Sequence, residues 1–256
     1  MPNVAIDALT AHVAADVAAS DAVEPVAVRF LLSQYIATAR DDLSAIVGAA
    51  LGRALQQSET IATAAPAEWL LLYADACTWS DDARLRAAAA RLLTAGGGHE
   101  ADGIEAMLRG ASALGDGARL ASSVDDLERL IARAYEPGDG VASADPFVVA
   151  SALLTGFDIT GRLPYAMLAE ELVQTSQRRG ERHSDIESAC RAAHVLCRLA
   201  ALHADEDYLH AAVIARGADY RGDGARLLDA YAPHALETPR IAARYGFALA
   251  HLLALH

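Results

Sequence analysis

The sequence predicts an all-α protein, and three observations support that fold class. Apolar residues recur at the i, i+3, i+4, i+7 spacing of amphipathic helices along almost the whole chain. No segment shows a convincing alternation with the period of two that a half-buried strand requires. Alanine, the best helix former, supplies much of the 54% apolar composition, whereas aromatic residues contribute only 5%. We expect residues 1–256 to form one helical domain.

The predicted helices come in pairs. Five leucines, spaced roughly 36 to 46 residues apart, each follow a polar turn and open a helix: Leu43, Leu85, Leu127, Leu163 and Leu209. Each of these helices begins with an acidic or capping residue, and another apolar helix ends a few residues before it. The repeating unit is therefore a helical hairpin of about 40 residues.

The pattern predicts the two helices of each hairpin. The first helices are expected at residues 24–38, 66–77, 101–114, 145–157, 184–203 and 238–255. The second helices are expected at residues 41–56, 81–94, 123–135, 161–178 and 206–217. A twelfth helix, at residues 4–19, precedes the first hairpin and has no sequence-adjacent partner. It would complete a sixth hairpin by packing against residues 238–255, with the first helices inside a closed ring and the second helices outside.

Three hairpins carry this rhythm most clearly: FLLSQYIATARDDLSAIVGAAL, WLLLYADACTWSDDARLRAAAARLL and FVVASALLTGFDITGRLPYAMLAEELV. They resemble the hairpins of the α/α-toroid superfamily, which includes six-hairpin glycosidases and N-acylglucosamine 2-epimerases. The resemblance covers most of the chain and implies an (α/α)6 toroid of about 12 helices, in which the N-terminal helix pairs with the C-terminal helix. It implies no particular activity, because the sequence contains no catalytic motif of these families.

Charge and composition exclude several functions. The formal net charge of -13 argues against nucleic acid or an anionic membrane as partner, because contacts with phosphates require a basic surface. All 21 basic residues are arginine, which excludes a Schiff-base lysine and a lysine-containing phosphate loop. Neither a signal peptide nor an apolar run of membrane-spanning length is recognisable, and three cysteines suit a reducing compartment. We therefore expect an acidic, cytoplasmic protein.

Polar side chains recur on the first helices, opposite their apolar faces, where a toroid would have its channel. The predicted catalytic residues are Glu68, Asp75 and His194. The predicted binding residues are Arg29, Arg109, Glu187, Arg191 and Arg244. Arginines that face a channel would bind an anionic or polyhydroxylated ligand through forked hydrogen bonds. The structural alternative is that these charges form ordinary ion pairs and that the lone histidine is a satisfied core residue.

Three further features have structural and functional interpretations. Cys190, His194 and Cys197 share one strip of a helix, but structural zinc needs four ligands, so we predict no metal and no cofactor. Trp69 and Tyr73 offer a sugar-stacking wall, although their helical spacing is typical of core residues. Glu170 and Glu171 lie opposite the apolar stripe of their helix, which predicts a solvated face that tolerates substitution.

Two functions remain open from the sequence. The first is a protein that binds or acts on a carbohydrate or a related small polar or anionic molecule in the central channel, as an isomerase or hydrolase would. The second is a noncatalytic helical scaffold that binds a protein partner or assembles as a homo-oligomer. The long connections that return from each hairpin to the next would lie on one rim, a usual location for binding loops.

Overall fold

The computed structural model describes residues 4–61, 66–96, 98–136, 140–141, 145–180 and 183–255. Within these residues the chain forms thirteen α-helices, and a two-residue antiparallel ladder joins β1 (Tyr135–Glu136) to β2 (Gly140–Val141). The predicted all-α class is therefore confirmed. No helix in this described part is long and apolar enough to cross a membrane.

The structure contains a helix at each position where the hairpin pattern predicts one. The first helices are α2 (Pro25–Thr38), α4 (Pro66–Trp79), α6 (Ala101–Leu114), α8 (Pro146–Thr160), α10 (Ile186–His203) and α13 (Pro239–Ala254). The second helices are α3 (Asp41–Ile61), α5 (Ala83–Ala95), α7 (Gly117–Ala134), α9 (Leu163–Arg179) and α11 (Glu206–Ala211). Helix α1 (Ile6–Ala19) precedes them, and α12 (Tyr220–Tyr231) with a 3-10 turn (Ala232–His234) lies between α11 and α13.

The starts of the first helices follow from caps that the sequence supplies. Four of the six begin with proline, whose fixed φ and missing N–H suit the first helical turn. Just before these prolines, Glu24, Asp145 and Thr238 accept hydrogen bonds from backbone N–H groups that the helix leaves free. At α10, Asp185 and Ser188 cap each other's backbone reciprocally.

The predicted boundaries differ most from the structure between α10 and α13. The sequence predicts one helix at 206–217 and a long connection at 218–237, but α11 ends at Ala211 and a further helix begins at Tyr220. Asp219 caps this helix by accepting a hydrogen bond from Gly222 N. The segment GDGARL at residues 222–227 therefore lies inside α12, where Gly224 faces residues of α10.

Contacts between helices follow the order of the hairpins. Neighbouring first helices touch in the pairs α2–α4, α4–α6, α6–α8, α8–α10, α10–α13 and α13–α2. Second helices pack on their own first helices in the pairs α2–α3, α4–α5, α6–α7 and α8–α9, while α12 packs on α10. Helix α1 contacts α13, α2 and α3.

The apolar core lies between first and second helices. Trp69 and Tyr73 are only 3% and 1% exposed, and the Tyr73 hydroxyl donates to Ala54 O across the α3–α4 connection. Their interpretation as core residues is correct, so they cannot stack on a ligand. At the junction of α2 and α13, a Cβ on Gly246 would lie 2.5 Å from the ring of buried Phe30. Glycine is therefore what allows these two helices to approach so closely.

Candidate functional site

Five charged side chains meet at the N-terminal ends of four first helices and form what we call the ion-pair cluster: Glu24, Glu68, Glu187, Arg240 and Arg244. Arg240 is its centre, because its NH1 donates to Glu24 Oε1 at 3.0 Å and to Glu68 Oε2 at 2.8 Å. The Nε atom of the same guanidinium donates to Glu187 Oε1 at 3.0 Å. One arginine of α13 thus connects residues of α2, α4 and α10.

The environment of Glu68 favours the ionised carboxylate. Burial by itself would raise the pKa of Glu68, but the hydrogen bonds and charge of Arg240, together with the charges of Arg244 and Arg29, lower it overall. Arg244 NH2 donates to Glu68 Oε1 at 2.8 Å, so both carboxylate oxygens are engaged. An ionised carboxylate saturated in this way is poorly suited to act as a general acid.

A second group of polar side chains lies further along the same helices, and we call it the histidine–arginine cluster: Arg29, Asp75, Arg109, His194, Arg198 and His251. Arg29 Nε donates to Asp75 Oδ2 at 2.9 Å, and Arg109 NH2 donates to Asp75 Oδ1 at 3.3 Å. Asp75 therefore binds two of the predicted binding arginines, one from α2 and one from α6.

The two histidines of this cluster face each other. His194 Nε2 lies 3.4 Å from His251 Nε2, and the ring planes are inclined by 78° with centroids 4.4 Å apart. Burial lowers the pKa of both imidazoles, and the positive charges of Arg198 and Arg109 lower each of them further. Both rings are therefore neutral at neutral pH, and one can donate to the other only if the two adopt different tautomers.

The histidine–arginine cluster is open to solvent although protein surrounds it. His251 is exposed and His194 half-buried, yet burial is the main cause that lowers the pKa of both. The side chain of Arg109 is 39% exposed and, among the residues that the structure describes, makes one hydrogen bond, so most of its five donors remain available to a ligand. These side chains combine access to solvent with unused hydrogen-bonding capacity, and both are properties of a small-molecule site.

Arg198 connects the cluster to α8 and was not among the predicted site residues. Its NH2 donates to Asp158 Oδ2 at 2.7 Å and to Thr155 Oγ1 at 3.3 Å. The Thr155 hydroxyl donates in turn to Glu105 Oε1 on α6 at 3.0 Å. The signal that identifies Arg198 is its position four residues after His194, on the same polar stripe.

Arg240 and Glu24 were also missed as site residues. Arg240, Arg244 and His251 occupy positions i, i+4 and i+11 of α13 and so share one stripe, which the sequence shows once the helix start is known. Glu24 immediately precedes Pro25 and reads as a helix cap, and its second role as an acceptor for Arg240 depends on tertiary structure.

The pair Glu170 and Glu171 corrects the prediction of a solvated face. Glu170 is 0% exposed and accepts hydrogen bonds from the side chains of His203, Tyr208 and Tyr220 at 2.8 to 3.1 Å. The backbone N–H groups of residues 214 and 215 donate to it at 2.9 and 3.1 Å. Burial would raise the pKa of Glu170, but these donors lower it overall. Glu171 is half-buried and accepts a hydrogen bond from Tyr135 OH.

The cysteine strip has the properties of core packing. Cys190 and Cys197 are both buried, and burial raises the pKa of each thiol to about 12. Both thiols are therefore protonated at neutral pH, whereas metal binding requires the thiolate. In the described part of the chain, no group of three or more His, Cys, Asp or Glu residues is arranged to hold a metal ion.

A cavity of about 330 Å³ lies on the other side of α10, away from the polar stripe, and is lined by Phe147, Ser176, Gln177, His183, Leu196, Asp223, Arg226, Leu227 and Ala230. Its polar groups bind one another, since Gln177 Nε2 donates to Asp223 Oδ2 at 2.9 Å and Arg226 pairs with the same carboxylate. None of the predicted site residues lines it. The return connections that we expected to carry the site lie partly outside the described residues, at 62–65, 97, 137–139, 142–144 and 181–182.

The structure divides the predicted site residues among three places. Glu68, Glu187 and Arg244 lie in the ion-pair cluster. Asp75, His194, Arg29 and Arg109 lie in the histidine–arginine cluster. Arg191 instead binds Asp102 on α6 at 2.9 Å. Comparisons of the chain with protein-family models, with curated proteins and with solved structures found no match.

Proposed function

We propose that this protein binds a small polyhydroxylated molecule of the carbohydrate class at the histidine–arginine cluster. The observation that carries the proposal is the Arg109–Asp75–Arg29 arrangement beside two neutral, accessible imidazoles. Hydroxyl groups both donate and accept hydrogen bonds, and this cluster offers free donors on Arg109 together with the ring nitrogens of the histidines. Planar guanidinium and carboxylate groups also bind neighbouring hydroxyls in pairs.

The proposed geometry is a closed (α/α)6 toroid, with this cluster facing its central channel. The six contacts between first helices return to their starting point, from α2 through α13 and back to α2. Two ion pairs reach across this sequence: Arg240 on α13 binds Glu68 on α4, and Arg191 on α10 binds Asp102 on α6. Such contacts are expected where six helices surround a common axis. The contact of α1 with α13 supports the pairing of the chain ends.

Closure can be tested through α1, whose Leu9, Val13 and Val17 are buried. If α1 completes the ring, deletion of residues 1–20 exposes α13 and destabilises the domain as a cooperative unit. In the intact protein, hydrogen exchange of residues 6–19 should then be as slow as that of the other first and second helices. Fast exchange confined to α1, with the rest protected, would mean an open array.

Acid–base chemistry at this site would use His194 and His251. The imidazole that donates through Nε2 can accept a proton on Nδ1 from a bound hydroxyl or from an acidic carbon, and it can then pass its Nε2 proton to the partner ring across the 3.4 Å contact. This is the step at which an isomerase or hydrolase activity would enter. Glu68 is a weaker candidate for an acid or base, because Arg240 and Arg244 hold it as a paired carboxylate.

The test of the proposal is a thermal-shift and calorimetry screen with neutral monosaccharides, sugar acids and alditols. At least one of them should raise the melting temperature, and Arg109→Ala and His251→Ala should each weaken its binding tenfold or more. His99→Ala is the matched control, because His99 is exposed and pairs with Asp126, outside the cluster. Absence of binding across the panel, or binding that both cluster variants leave intact, would contradict the proposal.

The scaffold function remains as the second candidate, and exposed apolar side chains favour it. Ile36 is 56% exposed, and Ile214 and Leu236 are exposed to nearly the same degree. Such residues can contribute to an interface with a protein partner or with a second copy of the chain. Light scattering on a gel-filtration column measures the copy number, and Ile36→Asp should reduce it if this surface forms a homo-oligomer.

A further inference from the structure

We infer that the ligand is an uncharged sugar in its ring form and that Trp79 stacks against the ring. This inference rests on the proposed function and narrows it in two respects, the charge of the ligand and its shape. The sequence offered Trp69 and Tyr73 as a stacking wall, but both are core residues, whereas Trp79 is 36% exposed.

Trp79 belongs to the stripe of α4 that carries the two polar clusters. Glu68, Asp75 and Trp79 occupy positions i, i+7 and i+11, which on an α-helix lie within about 40° of one direction. Trp79 is therefore one helical turn, about 6 Å, beyond the carboxylate that binds Arg29 and Arg109. The ring of Tyr35 packs against the indole at 5.6 Å in an edge-to-face arrangement and holds its orientation.

The surface beyond the cluster, which we take as the opening of the proposed site, has an apolar side and a polar side. Ile36 follows Arg29 by seven residues on α2 and is exposed next to the helix that carries Trp79, so α2 and α4 supply apolar surface. His251 and the Arg198–Asp158 pair supply polar groups from α13, α10 and α8. A pyranose has the matching two surfaces, a flat face of C–H groups and an edge of hydroxyls.

The charges around this opening are balanced, which selects against an anion. Arg29, Arg109 and Arg198 bring three positive charges, and three carboxylates lie among them: Asp75, Asp158 and Glu105. Both histidines are neutral at neutral pH, and the C-terminal ends of α2, α4 and α13 direct the negative ends of their dipoles toward this side. An anionic ligand would gain no net electrostatic attraction here, because each positive charge is compensated. The hydroxyl groups of an uncharged ligand do not depend on such attraction.

The experiment compares four kinds of probe. Methyl pyranosides of several configurations are uncharged rings, and the corresponding alditols are uncharged chains. Methyl uronosides are anionic rings, and aldonates are anionic chains. Binding is measured by calorimetry, and by Trp79 emission in a Trp69→Phe background, where Trp79 is the remaining tryptophan. We expect a methyl pyranoside to bind at least tenfold more tightly than its alditol and its uronoside, with a blue shift of Trp79 emission.

The variant Trp79→Ala should abolish the advantage of the ring over the alditol, and Trp79→Phe should restore part of it. Equal binding of pyranoside and alditol, unchanged in Trp79→Ala, would overturn the stacking inference and leave the proposed function standing. Tighter binding of the uronoside would overturn the charge argument alone. If none of the probes binds, while the variants melt like the parent protein, the proposed function itself fails and this inference fails with it.

Discussion

The surroundings of Glu170 and the histidine–arginine cluster are both polar regions inside an all-α protein, but they differ in how fully their hydrogen bonds are satisfied. The two oxygens of Glu170 receive five donors and no solvent. In the histidine–arginine cluster, Arg109 makes one hydrogen bond with the described part of the chain and remains 39% exposed. A saturated region holds the fold together, whereas an unsaturated and accessible one has hydrogen bonds left for a ligand.

The ion-pair cluster lies between these extremes. Its carboxylates are paired, but its side chains are only half-buried, and Arg244 Nε lies 3.0 Å from Glu187 Oε2 without the alignment of a hydrogen bond. Substitutions in the ion-pair cluster should therefore lower the unfolding free energy, but by less than substitution of Glu170. The three regions thus form a series in which substitution should cost progressively less stability.

The largest effect is expected at Glu170. Glu170→Ala leaves three side-chain donors and two backbone N–H groups without an acceptor in a dry environment, so unfolding free energy should fall by about 3 to 5 kcal/mol. Glu171→Ala, the matched control on the neighbouring residue, removes one acceptor from Tyr135 and should cost at most about 1 kcal/mol. Urea denaturation measures both, and equal losses would contradict the distinction between the two glutamates.

Glu170 also shows where prediction from sequence stops. The apolar stripe of α9 was read correctly, since Tyr165, Leu172 and Val173 are buried. The opposite side was expected to face solvent, but the connection after α11 covers Glu170 with the backbone of residues 214 and 215. That connection was predicted as helix, so its free N–H groups could not be anticipated. Hydrophobic periodicity shows which side of a helix is apolar. It carries no information about an irregular segment from elsewhere in the chain that packs over the polar side.

The polar stripes of the first helices were more predictable, because they depend on helical spacing alone. Arg29, Asp75 and Arg109 were all expected on these stripes, and Asp75 binds both arginines. The identity of the partners was not predictable, since it depends on how far each helix is shifted along its neighbour. Glu68 and Asp75 share one stripe of α4, yet they belong to different clusters.

The second largest loss of stability is expected at Arg240. Arg240→Ala removes the group that joins Glu24, Glu68 and Glu187 and leaves three carboxylates near one another, which should lower the unfolding free energy by about 2 kcal/mol. Arg84→Ala is the control, because Arg84 forms an exposed pair with Asp82, and it should leave the unfolding midpoint unchanged. A loss as large as that of Glu170→Ala would place this cluster with the saturated region.

The third effect tests the packing that holds the histidine–arginine cluster in place. Gly246 lies on α13 between Arg244 and His251, and a Cβ there would meet the buried Phe30 ring, so Gly246→Ala should cost about 1 to 3 kcal/mol. Gly52→Ala on α3 meets no atom within 4 Å and should stabilise the protein by about 0.5 to 1 kcal/mol. Opposite shifts of the melting temperature are expected, and two shifts of the same sign would contradict the close α2–α13 approach.

The smallest effect is a pH dependence that separates the two regions compared above. The folded pKa of His194 and of His251 lies below the ordinary value of 6.5, so the unfolded state binds more protons once the pH falls below about 6.5. The stability from the neutral histidines is therefore complete above that value and is lost on acidification toward the folded pKa values. The charged groups that face the pair are Arg29, Arg109 and Arg198 on one side and Asp75 and Asp158 on the other.

As the pH is lowered from 8 to 5, the urea concentration at the unfolding midpoint should therefore fall more steeply for the parent protein than for the double variant His194→Asn, His251→Asn. The carboxyl group of Glu170 should not contribute in this window, because its folded pKa is lowered from the ordinary 4.5. Its stabilisation is present above that value and is lost only as the pH falls further, through the folded pKa. Parallel midpoints of the parent and double variant would mean that the imidazoles are not held neutral by their surroundings. A decline that persists in the double variant and is absent from Glu170→Gln would assign the acid sensitivity to the saturated region.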